Sequence, residues 1–262
     1  MKSSATYTQP EALLLIGPPG SGKSTFISQL PGVFILDCDV NLAGPTRWLA
    51  THKPKQSFLY GIPSQDDDGK ELPREKWFPR AAQLLEEAAE SKDVQTIAID
   101  SLTAFNDLVL LEVMRQQKRS LGDFTSIAKL ATSVDEGMQI QDWGKFFGLM
   151  KQIVFRLKAC GKRIVVSGHP RMEKDGITQQ IQQVCACPGQ TGDLLPGWFS
   201  EVWLLSCEVQ TKGEPIRKVI TYPWNKMQQT LGLKSSIGVK SQSEFKADEL
   251  IKLLWNQQPN NK

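Results

Sequence analysis

Nine residues, GPPGSGKST at positions 17–25, stand directly behind the apolar run ALLLI at 12–16, and together they leave few folds open. Gly17, Gly22, Lys23 and Ser24 satisfy the P-loop spacing of a glycine, four variable residues, then glycine, lysine and a hydroxyl residue. Wrapping a backbone round a polyphosphate needs N–H groups turned inward. Gly17, Gly20 and Gly22 permit the left-handed torsions and the close approach that side chains would block. Pro18, Pro19 and Ser21 fill the variable positions, and Thr25 continues into a predicted helix with Phe26, Ile27 and Leu30 on its apolar side. Unpaired N–H groups at the start of that helix favour an anion. Lys23 supplies a mobile charge for the β and γ phosphates, and the Ser24 hydroxyl is placed to join the shell of a Mg²⁺ ion. A bound nucleotide is the expectation.

Further along, short apolar runs alternate with helical patterns. ALLLI (12–16), VFILD (33–37), VQTIAID (94–100) and KRIVVSG (162–168) have strand length, and the last three are rich in β-branched residues, so they read as buried parallel strands. The segment 73–91 suits a helix whose regular part begins near Pro79. In 141–158, Trp143, Phe146, Met150, Ile153 or Val154, and Leu157 recur every three or four positions and predict one apolar stripe facing the sheet. After residue 200, EVWLLSCEVQ and IRKVITYPW flank TKGEP, with Gly213 and Pro215 as turn residues; an antiparallel hairpin extending the sheet is expected. Ser241 and Glu244 have capping-box spacing before a closing helix with Phe245, Leu250, Leu253 and Leu254 on one face. The fold class expected is therefore α/β, a mostly parallel sheet flanked by helices, with an ATPase-type domain over 1–240 and a C-terminal helix and polar tail over 241–262.

At 262 residues and 40% hydrophobic content the chain can bury a substantial core, and a net charge of +3 permits a nucleic-acid partner without announcing one. No apolar run approaches the length of a membrane span, so a cytoplasmic protein with no membrane partner is expected. Five cysteines, an odd number, read as reduced thiols; a metal site using Cys185, Cys187 and a distant third ligand is the alternative.

The strand ending TIAID delivers Asp100 to the carboxyl edge of the sheet, where a carboxylate can hold Mg²⁺ through water; the plain alternative is a helix cap. VFILD ends in Asp37, Cys38 and Asp39, and Asp39 is placed to polarise a water in line with the γ-phosphate, unless both acids merely solvate a loop. RIVVSG ends in His169, which reads equally as a γ-phosphate sensor or as a buried, hydrogen-bonded histidine.

GPPGSGKST, FILDCD, TIAIDSLT, QDWGKFFGLMKQIVFRLK, IVVSGHPRMEKDG and DLLPGWFSEVWLL, taken in order, resemble the RecA-like P-loop ATPases encoded by bacteriophages and associated with single-strand annealing recombination, an AAA-type nucleotide-binding family. The resemblance covers roughly residues 11–240 and is most specific at the P-loop and Asp100. It implies a RecA-like core, ATP with Mg²⁺, DNA-stimulated hydrolysis, single-stranded DNA and a single-strand-binding protein as partners, and a homo-oligomeric ring or filament in the host cytoplasm. It places Asp39 where the family pattern carries Glu, a departure that weakens the expectation of fast turnover. It assigns the stretch after His169 to DNA-facing loops, with Arg171, Lys174 and the glycine-rich 186–193 as contacts. Trp198 and Phe199 read better as core than as a base-stacking platform. Lys226 and Lys234 follow the last core strand, where such proteins carry a cation acting on a neighbour's ATP; Lys234 is the candidate, with a plain surface lysine as the alternative.

Two other classes compete. A nucleotide-gated interaction module with slow turnover, such as a loader or packaging accessory, fits the Asp39 departure. A small-molecule P-loop kinase fits less well, because no clustered arginine lid is present and the trailing hairpin is foreign to such a layout.

Overall fold

The computed structural model describes residues 11–118, 139–174, 179–208, 216–223, 225–241 and 243–255. The predicted turn at 211–215 and the tail PNNK lie outside the described residues.

The apolar runs form the strands β1 (Ala12–Ile16), β2 (Val33–Asp37), β4 (Thr96–Asp100) and β5 (Arg163–Gly168), every residue of them buried. Strands covered on both faces have no solvent side to alternate with, which is why they read as unbroken apolar runs. Two further strands, β3 (Leu59–Gly61) and β8 (Glu201–Glu208), join the parallel set, and β9 (Ile216–Ile220) and β10 (Ser243–Glu244) complete one eight-stranded sheet in the order β10-β9-β8-β1-β5-β4-β2-β3. The β8–β9 pairing is antiparallel, as the hairpin reading expects.

One face of the sheet carries α3 (Trp77–Glu90), α4 (Leu102–Gln116) and α5 (Ile140–Ala159). Leu14, Ile16, Ile97, Ile99 and Val166 meet Leu84, Phe105, Phe146 and Val154 there. The alternate residues Leu13, Leu15, Ile35, Ala98 and Val165 face α1 (Lys23–Ile27) and α7 (Ala247–Trp255), packing with Phe26, Ile27, Leu250, Leu254 and Trp203. The period-two switch between the two cores is the strand pleat expressed as packing. Between α1 and β3 lies α2 (Ala43–His52), and the short α6 (Thr191–Leu194) precedes β8.

Several expectations change in detail. The closing helix starts at Ala247, not behind Ser241: Ser243 and Glu244 pair with Val219 and Lys218 on the otherwise open edge of β9, so the backbone there is satisfied as a strand. Phe245 then donates its N–H to Arg217 O at 2.8 Å and packs edge-on against Phe26, with 5.4 Å between ring centres. In α5 the buried stripe is Phe146, Met150, Val154 and Leu157; Trp143 sits at its margin, 39% exposed, against the edge of Phe146. The helix after the P-loop is little more than one turn, Lys23–Ile27. Pro79 falls within the first turn of α3, where its missing N–H costs nothing. The acidic segment 61–73 is an ordered turn in which Asp66 Oδ1 accepts the N–H groups of Asp68 and Lys70.

The sequence reading did not find the second, separate sheet. Directly after His169, β6 (Pro170–Lys174) and β7 (Ile181–Cys185) form an antiparallel ribbon outside the main sheet. The glycine-rich 186–193, expected among the DNA-facing loops, is packed in part: Cys187, Thr191 and Gly192 are buried, and a Cβ at Gly192 would stand 2.7 Å from Cys185 O, while Gly189 and Gln190 are exposed.

Candidate nucleotide site

The carboxyl edge of the parallel strands brings the predicted phosphate residues together. The loop leaves β1 with Gly17 N donating to Gly168 O at 3.0 Å, which ties it to the end of β5. A Cβ at Gly17 would meet Ser21 Oγ at 2.5 Å and Leu205 O at 2.9 Å, so only glycine fits between loop and β8. Gly22 has φ of 97°, in the left-handed region that glycine adopts without cost. Because α1 is so short, the case for an anion rests on these loop geometries and on Lys23 rather than on a macrodipole.

Lys23 is buried, and its Nζ donates to Gly17 O at 2.7 Å and to Pro18 O at 3.1 Å. Burial pushes its pKa down, while the charges of Asp100 and Asp39 push it up. An ammonium held only by neutral carbonyls in a desolvated loop gains from a polyphosphate that supplies full negative charge.

Around it stand three carboxylates from two neighbouring strands. Asp37 and Asp100 are paired in register at the ends of β2 and β4, and Cys38 N donates to Asp100 O at 2.8 Å. Asp37 is raised by burial and by the charges of Asp100 and Asp39, although the Asn41 N–H, at 3.1 Å from both its oxygens, opposes the shift. The Cys38 thiol between them is pushed up by burial and by all three acids and stays protonated. Asp39 is exposed at the edge, close enough to act on Lys23 and His169. Val40, next to it, has φ of 53°, an uncommon backbone state for a β-branched residue and one that tends to mark functional turns.

Ser167 is the residue the sequence reading missed. Its buried hydroxyl donates to Asp100 Oδ1 and fixes the carboxylate's orientation. The signal was available: a serine inside the apolar run RIVVSG is a polar group that needs a partner when buried. His169 lies against the Gly17 backbone; burial and the Lys23 charge lower its pKa, against smaller opposing effects from Gly17, Asp39 and Asp100. Among the described residues, Ser21 Oγ, Ser101 Oγ and His169 Nδ1 are buried without a hydrogen-bond partner. Three orphaned polar atoms beside a P-loop fit a site whose remaining partners come with a ligand.

Among the described residues no group of three or more His, Cys, Asp or Glu could enclose a metal ion, and the five cysteines are free thiols. Mg²⁺ needs no such cluster, since it takes one or two protein oxygens and completes its shell with water and phosphate. Ser24 Oγ and the Asp100 carboxylate are the hard oxygens that would hold such an ion, which would neutralise charge on the β and γ phosphates.

The other predicted residues lie elsewhere. Arg171 is half-buried and paired with Glu173 at 2.9 Å on the ribbon, where Lys174 is exposed. Trp198 and Phe199 are core residues, Trp198 against Phe147 at 5.5 Å between ring centres. Lys234 exchanges backbone hydrogen bonds with Val202 at 3.0 Å, and its charge acts on Lys158 near Trp198, apart from the protomer's own P-loop. Lys226 is exposed at the start of a 3-10 segment, Lys226–Leu231.

A P-loop on a mostly parallel sheet, with an acid at the end of the strand next but one and helices on both faces, defines a P-loop ATPase fold. Residues 9–236 match the family described as AAA domain, and the chain belongs to that family. Among solved structures it is similar in chain course to a KaiC-like protein from the hyperthermophilic archaeon Pyrococcus horikoshii OT3, with 13% identity over 80% of this chain and 78% of that one and a TM-score of 0.40. No curated protein matches it. Among the described residues no helix is long and apolar enough to cross a membrane.

Proposed function

We propose that the protein hydrolyses ATP with Mg²⁺ and couples the reaction to single-stranded DNA, as an annealing, recombination or replication ATPase of a bacteriophage, working as a homo-oligomer and alongside a single-strand-binding protein. The observation that carries this reading is connectivity. Ser167 holds Asp100, Gly168 holds the P-loop, His169 lies against Gly17, and the next residue begins the exposed ribbon β6–β7. A change at the γ-phosphate reaches the ribbon through one stretch of backbone. Lys174, with Arg171 released from Glu173, supplies the cations for a DNA backbone. In this reading Asp39 orients the attacking water, Lys23 draws charge from the γ-phosphate, and Lys234 serves the site of a neighbouring protomer.

The test is phosphate release with and without a single-stranded oligonucleotide. Stimulation that disappears in Lys23→Ala supports the proposal. Slow, DNA-indifferent turnover with tight nucleotide binding favours the second reading, a nucleotide-gated interaction module, which the shorter acid at Asp39 favours by its weaker reach.

A further inference from the structure

The P-loop has two ends, and the acids, Ser167 and His169 occupy only one of them. On the other side of Gly22 and Thr25 a cleft of about 700 Å³ opens, lined by Gln29, Trp48 and Lys53, by Ile216 and Arg217, and by the segment Glu244–Glu249. The volume is within the range of small-molecule sites, roughly 300–1,000 Å³. We infer that this cleft is the nucleoside subsite, with Arg217 a phosphate-binding residue in cis and Trp48 the surface on which the base lies; the inference rests on the nucleotide reading of the P-loop.

Arg217 reaches the loop because of strand direction. Parallel strands present their last residues to the ligand edge, whereas β9 runs the opposite way and presents its first, Ile216 and Arg217. The Arg217 Cδ and Nε stand 3.5 Å from the position a Cβ would take on Gly22, so the side chain runs alongside the loop. Its neighbours in the cleft are charged, but Lys53 is paired with Asp248, and Lys246 with Glu249 at 3.8 Å. Among the described residues the exposed Arg217 guanidinium has neither a carboxylate nor a carbonyl partner. A guanidinium with no acidic partner among the described residues, beside a phosphate loop, is suited to bidentate contact with phosphate oxygens.

Trp48 is half-buried and has one face stacked on His52, at 4.6 Å between ring centres and 14° between planes. That stacking steadies an indole that lines the cleft, a rigid aromatic surface of the kind on which bases stack. The floor on the far side is the C-terminal segment, held to β9 by the Phe245–Arg217 backbone bond and to α2 by Lys53–Asp248.

Calorimetric titration with two probes tests this: ATP, and inorganic tripolyphosphate, which has no nucleoside. Arg217→Ala is expected to weaken both about tenfold, with Arg217→Lys recovering part of the loss. Trp48→Ala is expected to weaken ATP roughly tenfold and leave tripolyphosphate unchanged. Trp48→Leu, which keeps an apolar bulk against His52 but has no aromatic face, is expected to weaken ATP in the same way and serves where the alanine variant does not fold. If Arg217→Ala and the Trp48 variants bind ATP like wild type while Lys23→Ala does not bind, the subsite assignment is overturned and the nucleotide reading stands. If wild type binds neither probe, both are overturned.

Discussion

The chain from Arg163 to Cys185 passes through two regions built on different physics. As β5 it is buried on both faces, and its end is fastened to the P-loop through Gly168 and to Asp100 through Ser167. As the ribbon β6–β7 it has only one partner strand, exposes Met172 and Ile181 at 59% each, and holds Arg171 and Glu173 in a surface ion pair. A two-stranded ribbon is marginal by itself, and an exposed ion pair adds little. This ribbon leans on its base: Thr230 Oγ1 donates to Gln183 O, and Ala186 N donates to His169 O at 2.8 Å. The first region holds the P-loop and Asp100 through buried hydrogen bonds, while the second offers a surface whose position follows from the first. Substitutions at the P-loop end should therefore act on chemistry, and substitutions on the ribbon should act on partner binding alone.

The largest effect is expected at Lys23. Lys23→Ala removes the charge that meets the phosphates, and ATP affinity should fall roughly 100-fold or more by calorimetry. Because burial makes the ammonium costly in the folded protein, the same variant should melt no lower than wild type in the absence of nucleotide. A large drop in melting temperature would mean that the bonds to Gly17 O and Pro18 O carry the loop, and the contrast drawn above would lose its first half.

Next in size, Asp100→Asn should reduce phosphate release by roughly 10²–10³ while ATP binding in the presence of chelator persists. Ser167→Ala, which only frees the carboxylate to rotate, should cost about tenfold in turnover, with little change in ATP affinity. Equal losses in both variants would show that Ser167 does more than orient Asp100.

On the ribbon, Arg171→Ala with Lys174→Ala should leave DNA-free phosphate release unchanged. Affinity for a single-stranded oligonucleotide should fall, and the slope of log affinity against log salt should shrink by about 0.7 for each phosphate that the variant no longer neutralises. An altered basal rate would erase the division between the two regions.

What could be read in advance follows the same division. The P-loop, the four buried strands and Asp100 were legible because tight constraints leave local signatures: a fixed glycine spacing, unbroken apolar runs, an acid at a strand end. Ser167 and Arg217 were not picked out, since each takes its role from a distant partner, Asp100 and the P-loop; Trp48 stacks locally on His52, and only the fold brings it to the cleft. The ribbon was hidden for a related reason. PRMEK and IQQVC carry little apolar alternation, and their pairing depends on Ala186 and Thr230 rather than on a face of their own. The capping-box spacing at Ser241 and Glu244 misled because the open edge of β9 made a stronger claim on the same backbone.

The smallest expected effect concerns His169, at the junction of the two regions. Its Nδ1 is buried without a partner among the described residues, and burial followed by the Lys23 charge sets its pKa below 6.5. Between that lowered value and 6.5 the unfolded chain holds a proton that the folded chain does not. Stability contributed by the neutral imidazole is therefore complete above 6.5 and is lost as pH falls through the window. Melting temperature should decline on acidification across this range more steeply in wild type than in His169→Gln, which cannot be protonated. Bound ATP brings negative charge to the same edge and favours the imidazolium, so nucleotide should flatten the wild-type slope toward that of the variant. If the two proteins melt in parallel with and without ATP, the imidazole does not sense the phosphate end, and the link from P-loop to ribbon has to run through the Gly17–Gly168 backbone bond alone.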